Sequence, residues 1–193
     1  MKKTFLLLGC ICVFLAACGG AGGGSAKMDI KAGGKDTSLV VKSSGSYKNV
    51  KTFTDISGKM TTATSFYAIM ANYDMDTASV TTMKKPLTAP DQVRVQLQLT
   101  GEEGTNQDSE FKAGTYKTEP GGKFMKIDML TVTTFADGKE VNTNFDAMSS
   151  VSKMTGQVVV KSVTADEISG DIDVTEGDKS VKGTFSAKIP AKK

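Results

Sequence analysis

Strict alternation of apolar and polar side chains near the C-terminus is the feature that most restricts the fold. Residues 168–174 and 181–189 carry the pattern, the apolar-rich residues 158–163 precede them as a third strand, and short polar turns at 165–167 and 176–178 separate the three. A period of two is typical of a half-buried β-strand. Turns this short join antiparallel neighbours, so the C-terminal segment predicts an antiparallel meander.

The same alternation recurs upstream. In residues 93–99 the apolar side chains alternate with Arg94, Gln96 and Gln98, which predicts a strand with one buried and one polar face. Asp137-Gly138 lies between apolar segments and predicts a tight hairpin turn. About eight to ten strands at this spacing predict a single all-β domain, either an antiparallel β-sandwich or a lipocalin-like barrel.

Three segments are less regular. Residues 62–71 fit either a strand or a short buried helix. Residues 144–156 predict one or two helical turns, with Asn144 or Asp146 as the cap and Gly156 as the stop. Residues 101–110 predict a polar loop between strands.

The composition excludes several kinds of site. The chain has no histidine, and its three cysteines, Cys10, Cys12 and Cys18, all lie near the N-terminus. Cys-His and Ser-His-Asp catalysis, and zinc sites built on imidazole or thiolate, therefore have no ligands in the domain. The net charge is only +3, and Arg94 is the single arginine, so we expect no nucleic-acid partner.

The N-terminal segment has the three parts of an export signal. Lys2 and Lys3 are followed by an apolar run over residues 5–15 and by the small residues Ala16 and Ala17. The run is shorter than the roughly 20 residues that a membrane-spanning helix needs. We therefore expect an export signal rather than a transmembrane anchor.

The quartet Leu15-Ala16-Ala17-Cys18 resembles the lipobox of bacterial lipoproteins. The resemblance implies cleavage after Ala17, a diacylglyceryl thioether on the Cys18 sulfur and acylation of the new amino group. With Gly19 rather than aspartate next, it also implies a place in the outer membrane, if the host has one. We expect residues 1–17 to be the signal peptide, residues 18–36 the lipidated cysteine with a flexible glycine-rich tether, and residues 37–193 the β domain. Residues 19–26 would span about 15 Å.

Parts of the domain resemble small bacterial lipoproteins with calycin-like or jelly-roll β folds. Residues 168–174 and 181–187 are similar to the closing strands of those proteins, and residues 111–116 to a strand in mid-domain. These families mostly lack an assigned activity, so the resemblance implies a fold and no reaction.

Acidic residues form two candidate cation sites. One comprises Asp171, Asp173, Glu176 and Asp178, and the other Asp74 and Asp76. Strand alternation places Asp171 and Asp173 on the face opposite Ile172, and the spacing does not fit an EF-hand loop. We therefore expect solvated carboxylates and no bound metal or cofactor.

Ten methionines are many for a chain of this length. Met125 and Met129 alternate with Lys126 and Asp128, so we expect both methionines on the core face of a strand. Two alternatives stay open: a methionine-lined cavity for an apolar ligand, and a copper site.

The acid pairs Glu102-Glu103 and Asp166-Glu167 lie in polar turns, where neighbouring side chains diverge, so we expect no enzyme. The leading hypothesis is a lipid-anchored cell-envelope protein that acts as a non-enzymatic binding module, with an apolar small molecule as the candidate ligand. We expect this protein to be attached to the membrane through the lipid on Cys18. The alternative is a structural or protein-interaction lipoprotein with a filled core.

Overall fold

The computed structural model describes residues 25–77, 83, 85–119, 121–147 and 151–190. Within these residues eleven β-strands form one continuous sheet, which confirms the all-β prediction. The strands are β1 (Lys27–Ala32), β2 (Lys35–Val40), β3 (Ser43–Thr54), β4 (Met60–Ala71), β5 (Val93–Glu103), β6 (Gly114–Lys117), β7 (Lys126–Ala136), β8 (Lys139–Phe145), β9 (Thr155–Val163), β10 (Glu167–Glu176) and β11 (Lys179–Lys188).

The sheet curls into a half-barrel. Its strand order is β2-β1-β11-β10-β9-β6-β7-β5-β4-β3, and β8 pairs with β7 beside this path. Although β3 and β11 are far apart in that order, the Ser46 hydroxyl donates to the Lys188 carbonyl (2.8 Å), and the Lys188 amide donates to Ser44 Oγ (3.2 Å). These side-chain bonds hold the two strands together and fix the curvature.

The pairing is antiparallel except at one place. Strands β6 and β7 run parallel, with Lys117 opposite Lys126. The prediction of a wholly antiparallel sheet is corrected at this point. Residues 118–125 connect the two strands, and Met125 there has φ 48°, a left-handed conformation.

The C-terminal meander forms as predicted, with β9, β10 and β11 paired antiparallel. A register shift between Ser169 and Gly170 interrupts the β9–β10 ladder. A Cβ atom on Gly170 would lie only 1.9 Å from the Val159 carbonyl oxygen, so this position admits no side chain. The Asp137-Gly138 hairpin turn is also confirmed, since both residues have positive φ, as a type I′ turn requires.

Two apolar clusters lie on opposite faces of the sheet. The main core fills the concave face and draws on every strand except β3. The second cluster lies on the convex face, where part of the segment 72–92 covers β4 and β5. Its buried members are Tyr67, Ile69, Ala71, Tyr73, Met75, Met83 and Leu87.

This covering segment bears on one alternative that the sequence left open and on one difference from the predictions. Residues 62–71 belong to a strand, β4, which is buried on both faces because each face meets one of the two clusters. Arg94 was expected on a polar strand face, yet its side chain is only 5% exposed. Alternation identifies which side chains of a strand are polar. It gives no information on whether a distant part of the chain covers them.

The predicted helical turns at 144–156 are wrong in the described part of that segment. Asn144 lies in β8, Gly156 lies in β9, and residues 151–154 are not helical; residues 148–150 lie outside the described residues. The described residues contain no helix whose length and apolar character would let it cross a bilayer.

The boundary predicted between the tether and the domain also needs correction. Residues 27–36 were assigned to a flexible tether, but β1 lies between β11 and β2 in the sheet. Met28 and Ile30 of β1 are buried in the main core. The domain therefore begins before Lys27 rather than at residue 37. Cys18 and the other residues of the quartet that resembles a lipobox lie outside the described residues.

A bulge in β7 divides the predicted methionine pair. Gln98 is opposite Met129 and Leu99 is opposite Ile127, so Asp128 is the extra residue. Because the bulge shifts the alternation by one position, Met129 packs against the convex-face cluster, whereas Met125 packs against the main core. The expectation that both would share the core face is wrong for Met129.

Candidate ligand-binding cleft

An apolar cleft of about 720 Å³ opens at one end of the curled sheet. Its walls come from β3, β4, the loop 104–113, the β9–β10 turn and the segment after β11. The lining residues are Ser46, Tyr47, Lys48, Phe66, Gln107, Glu110, Phe111, Lys112, Ala113, Val163, Thr164, Ala165, Ile189 and Pro190. The volume is typical of a small-molecule site.

Aromatic rings form the floor of the cleft. The ring centroids of Phe66 and Phe111 are 5.2 Å apart, and Phe111 stacks on Tyr116 at the same distance with an interplanar angle of 12°. The Tyr116 hydroxyl donates to the Lys112 carbonyl at 2.8 Å. Burial raises the pKa of Tyr116 far above its ordinary value, so this hydroxyl stays a neutral donor. The floor is thus a packed surface that a ligand can contact without displacing it.

Hydrogen bonds to β4 and β3 fix the wall formed by the loop 104–113. The Thr64 amide donates to Thr105 Oγ1, and the Thr64 hydroxyl donates to the Asn106 carbonyl, both at 2.8 Å. Lys48 Nζ donates to the Ser109 carbonyl, also at 2.8 Å. A wall fixed in this way loses little conformational freedom when a ligand enters.

The opposite wall is closed by Ile189 and Pro190, the last residues that the structure describes. The Ile189 amide donates to the Asp166 carbonyl (2.7 Å), and the Thr164 amide donates to the Glu167 carbonyl (2.8 Å). These bonds seat Ile189 against the β9–β10 turn and make that turn part of the cleft.

The rim carries both charges. Lys112 pairs with Glu102 at 2.6 Å, and Glu110 lies nearby on the cleft lining. The interior surface is apolar and the rim is polar, which suits a ligand with an apolar body and a polar end. No described methionine lines the cleft, so the methionine-rich composition is not what forms it.

The acidic residues singled out in the sequence do not converge. Asp171 pairs with Lys161 (2.6 Å), Asp173 with Lys182 (3.0 Å) and Glu176 with Lys179 (2.7 Å). Asp74 pairs with Lys42 at 2.8 Å. Among the described residues no three acidic side chains lie close enough together to hold a metal ion.

One buried ionic cluster was not anticipated from the sequence. The Asp128 side chain is 4% exposed and accepts hydrogen bonds from Lys51 Nζ (2.7 Å) and from the Thr100 hydroxyl. Lys126 Nζ lies 3.3 Å from its other oxygen. The cluster ties β3, β5 and β7 together at the β7 bulge, and the carboxylate is fully engaged, so we interpret it as structural. Because a β-bulge depends on how two strands pair, no local pattern in residues 125–129 predicts it.

No protein-family model matches the chain, and no curated protein and no solved structure matches it either.

Proposed function

We propose that this protein is a lipid-anchored cell-envelope protein that binds an apolar small molecule in the cleft at the end of its sheet. The observation that carries the proposal is the cleft itself, with its aromatic floor, fixed walls and polar rim. Anchoring through Cys18 rests on the lipobox of the sequence. No reaction is assigned, and binding alone is the proposed activity.

The proposed site lies at the end of the sheet. A carrier that encloses its ligand would instead hold it inside the barrel. The inward-facing side chains, such as Leu97, Leu130 and Ile172, are buried against one another in a single cluster. This filled core favours a ligand held at the mouth of the sheet rather than within it. It also supports the second candidate function, an interaction lipoprotein whose outer surface binds another protein.

Fluorescence of N-phenyl-1-naphthylamine tests the proposed cleft. Residues 25–193 contain all the described strands and both apolar clusters, so a chain that begins at Ser25 keeps every contact described above. We expect saturable binding of one probe molecule. Ala165→Trp places a bulky ring in the cleft and should weaken binding by about tenfold or more, since the ring occupies space that the probe would otherwise fill and so reduces the apolar area that the probe can bury.

Ser38→Trp is the matched control, because it adds the same ring in a different groove, beside β2. Equal affinity of the two variants and the unmodified chain would contradict the cleft assignment. Native mass spectrometry of the exported protein provides an independent measurement. An extra mass that is lost on denaturation would support a carried ligand, and its value would begin to identify that ligand.

A further inference from the structure

We propose that the turn joining β3 and β4 is a second membrane contact, which inserts Ile56 and Met60 into the interfacial region of a phospholipid bilayer. The inference rests on the proposed anchoring at Cys18 and adds to it an orientation of the domain.

The turn exposes apolar side chains that the rest of the described surface mostly hides. Ile56 is fully exposed and Met60 is 68% exposed, and only two other large hydrophobic side chains among the described residues are comparably exposed. Behind them Phe53 and Phe124 pack edge to face, with ring centroids 5.2 Å apart. Two large apolar side chains are thus exposed in and next to one short turn, and insertion into a bilayer would remove both from water.

The backbone of the turn bonds to itself and to Asp55. The Asp55 amide donates to the Lys59 carbonyl, and the Gly58 amide donates to the Asp55 carbonyl, both at 3.0 Å. Asp55 Oδ1 accepts from the amides of Ser57 (2.8 Å) and Lys59 (3.0 Å). Polar backbone groups that already have partners cost less to bring near hydrocarbon.

Two lysines lie beside the turn. Lys59 and Lys123 line a small cleft beside the turn, together with Asp55 and Glu103. Long lysine side chains can reach toward phosphates while a neighbouring apolar side chain inserts. Because two carboxylates balance the two ammonium groups, apolar contact should dominate, and binding should not require anionic lipid.

The point where the chain enters the domain sets the orientation that the proposal requires. The Ala26 carbonyl accepts from the Val41 amide (2.9 Å), so the chain enters the domain next to the start of β3. Strand β3 has 12 residues and spans about 40 Å at roughly 3.3 Å per residue. The tether and the tip therefore lie at opposite ends of β3, and contact at both ends places this strand along the bilayer.

The test uses a single tryptophan, because the natural chain has none. Residues 18–193 contain one cysteine, Cys18, which can be coupled to a maleimide phospholipid in phosphatidylcholine vesicles. This coupling restores an anchor whether or not the natural cysteine is lipidated, so failure of the tip contact is distinguishable from failure of the proposed anchoring. Ile56→Trp then reports the environment of the tip, and Met60→Trp is a second reporter.

We expect the emission of Ile56→Trp to move to shorter wavelength and to be quenched by brominated acyl chains. The control is Val151→Trp, at a position 81% exposed in the turn between β8 and β9, which should be neither shifted nor quenched. Adding Met60→Ser should weaken the contact of the Ile56→Trp reporter with the bilayer by about tenfold. Absence of quenching at both tip positions overturns the proposal. Equal quenching at position 151 also overturns it, since the contact would then not be specific to the turn.

Discussion

Arg94 Nη2 lies 3.4 Å from Glu140 Oε1 beneath the segment that covers the convex face of the sheet. Nη1 of the same guanidinium donates to the Lys85 carbonyl (2.8 Å) and to the Tyr73 hydroxyl (3.3 Å). Glu140 Oε1 also accepts from the Leu87 amide at 2.8 Å. One ion pair therefore links β5 and β8 to three points of the covering segment.

The first prediction concerns this ion pair. Arg94→Ala should lower the free energy of unfolding by about 2–4 kcal/mol, because it leaves the Glu140 carboxylate without its cation and removes the hydrogen bonds that the guanidinium donates to the Lys85 carbonyl and the Tyr73 hydroxyl. Arg94→Met should cost less, since it keeps the apolar stem. Urea denaturation measures both. Asp29→Asn is the control, because Asp29 forms an exposed pair with Lys27 and should change stability little. Unchanged stability of Arg94→Ala would refute the role of the pair.

The second prediction concerns the close approach of β9 and β10. Gly170→Ala should destabilise the fold by about 2–3 kcal/mol, because the added methyl group would overlap the Val159 carbonyl oxygen. Ser169→Ala, at the adjacent position, removes only a hydroxyl and is the control. Thermal unfolding followed by circular dichroism compares them. Equal midpoints for the two variants would show that the strands can separate without cost.

The third prediction concerns alkaline pH. Burial raises the pKa of all four tyrosines above 10.0, that of Tyr67 to about 12. In the unfolded chain these hydroxyls ionise near pH 10, whereas the folded state keeps their protons. Stability should therefore be fully present below pH 10 and fall as the pH rises from 10 to about 12.

Absorbance at 295 nm, recorded with circular dichroism through this range, tests that expectation. Tyrosinate should appear together with loss of the β-sheet signal. In urea the same groups should titrate near pH 10 and serve as the reference. Full tyrosinate absorbance near pH 10 from a chain that is still folded would contradict the burial argument.

The fourth prediction concerns the proposed anchor. Cys18→Ser should abolish labelling with palmitate and release the protein from the membrane fraction, because the serine hydroxyl cannot form the thioether. The control is Cys12→Ser, because position 12 lies within the expected signal peptide. This variant should retain the palmitate label. Continued labelling of Cys18→Ser would contradict the assignment of Cys18 as the lipid anchor.

Local sequence predicted the elements whose signals are local. The Asp137-Gly138 turn and the three C-terminal strands were correct because turn chemistry and alternation act within a few residues. The predicted helical turns near residue 150 rested on a cap and a stop alone. Phe145 joins the main core from β8, so tertiary burial prevailed over those weak local signals in the described part of that segment.

The candidate cleft was beyond prediction for the same physical reason. Phe66, Phe111 and Ile189 meet there from parts of the chain that alternation treats as unrelated. The one prediction made for this region was the resemblance of residues 111–116 to a mid-domain strand. The observed strand β6 is limited to Gly114–Lys117.

By itself, the sequence determined an all-β chain without histidine chemistry or domain cysteines, together with the Asp137-Gly138 turn and the two turns of the C-terminal meander. The tertiary structure decided which strand faces are covered, where the β7 bulge re-aims Asp128, and how the β3–β4 turn comes to expose Ile56. Alternation specifies that a strand has two unlike faces. What packs against each face depends on residues far away in the chain, and only the folded sheet brings those residues together.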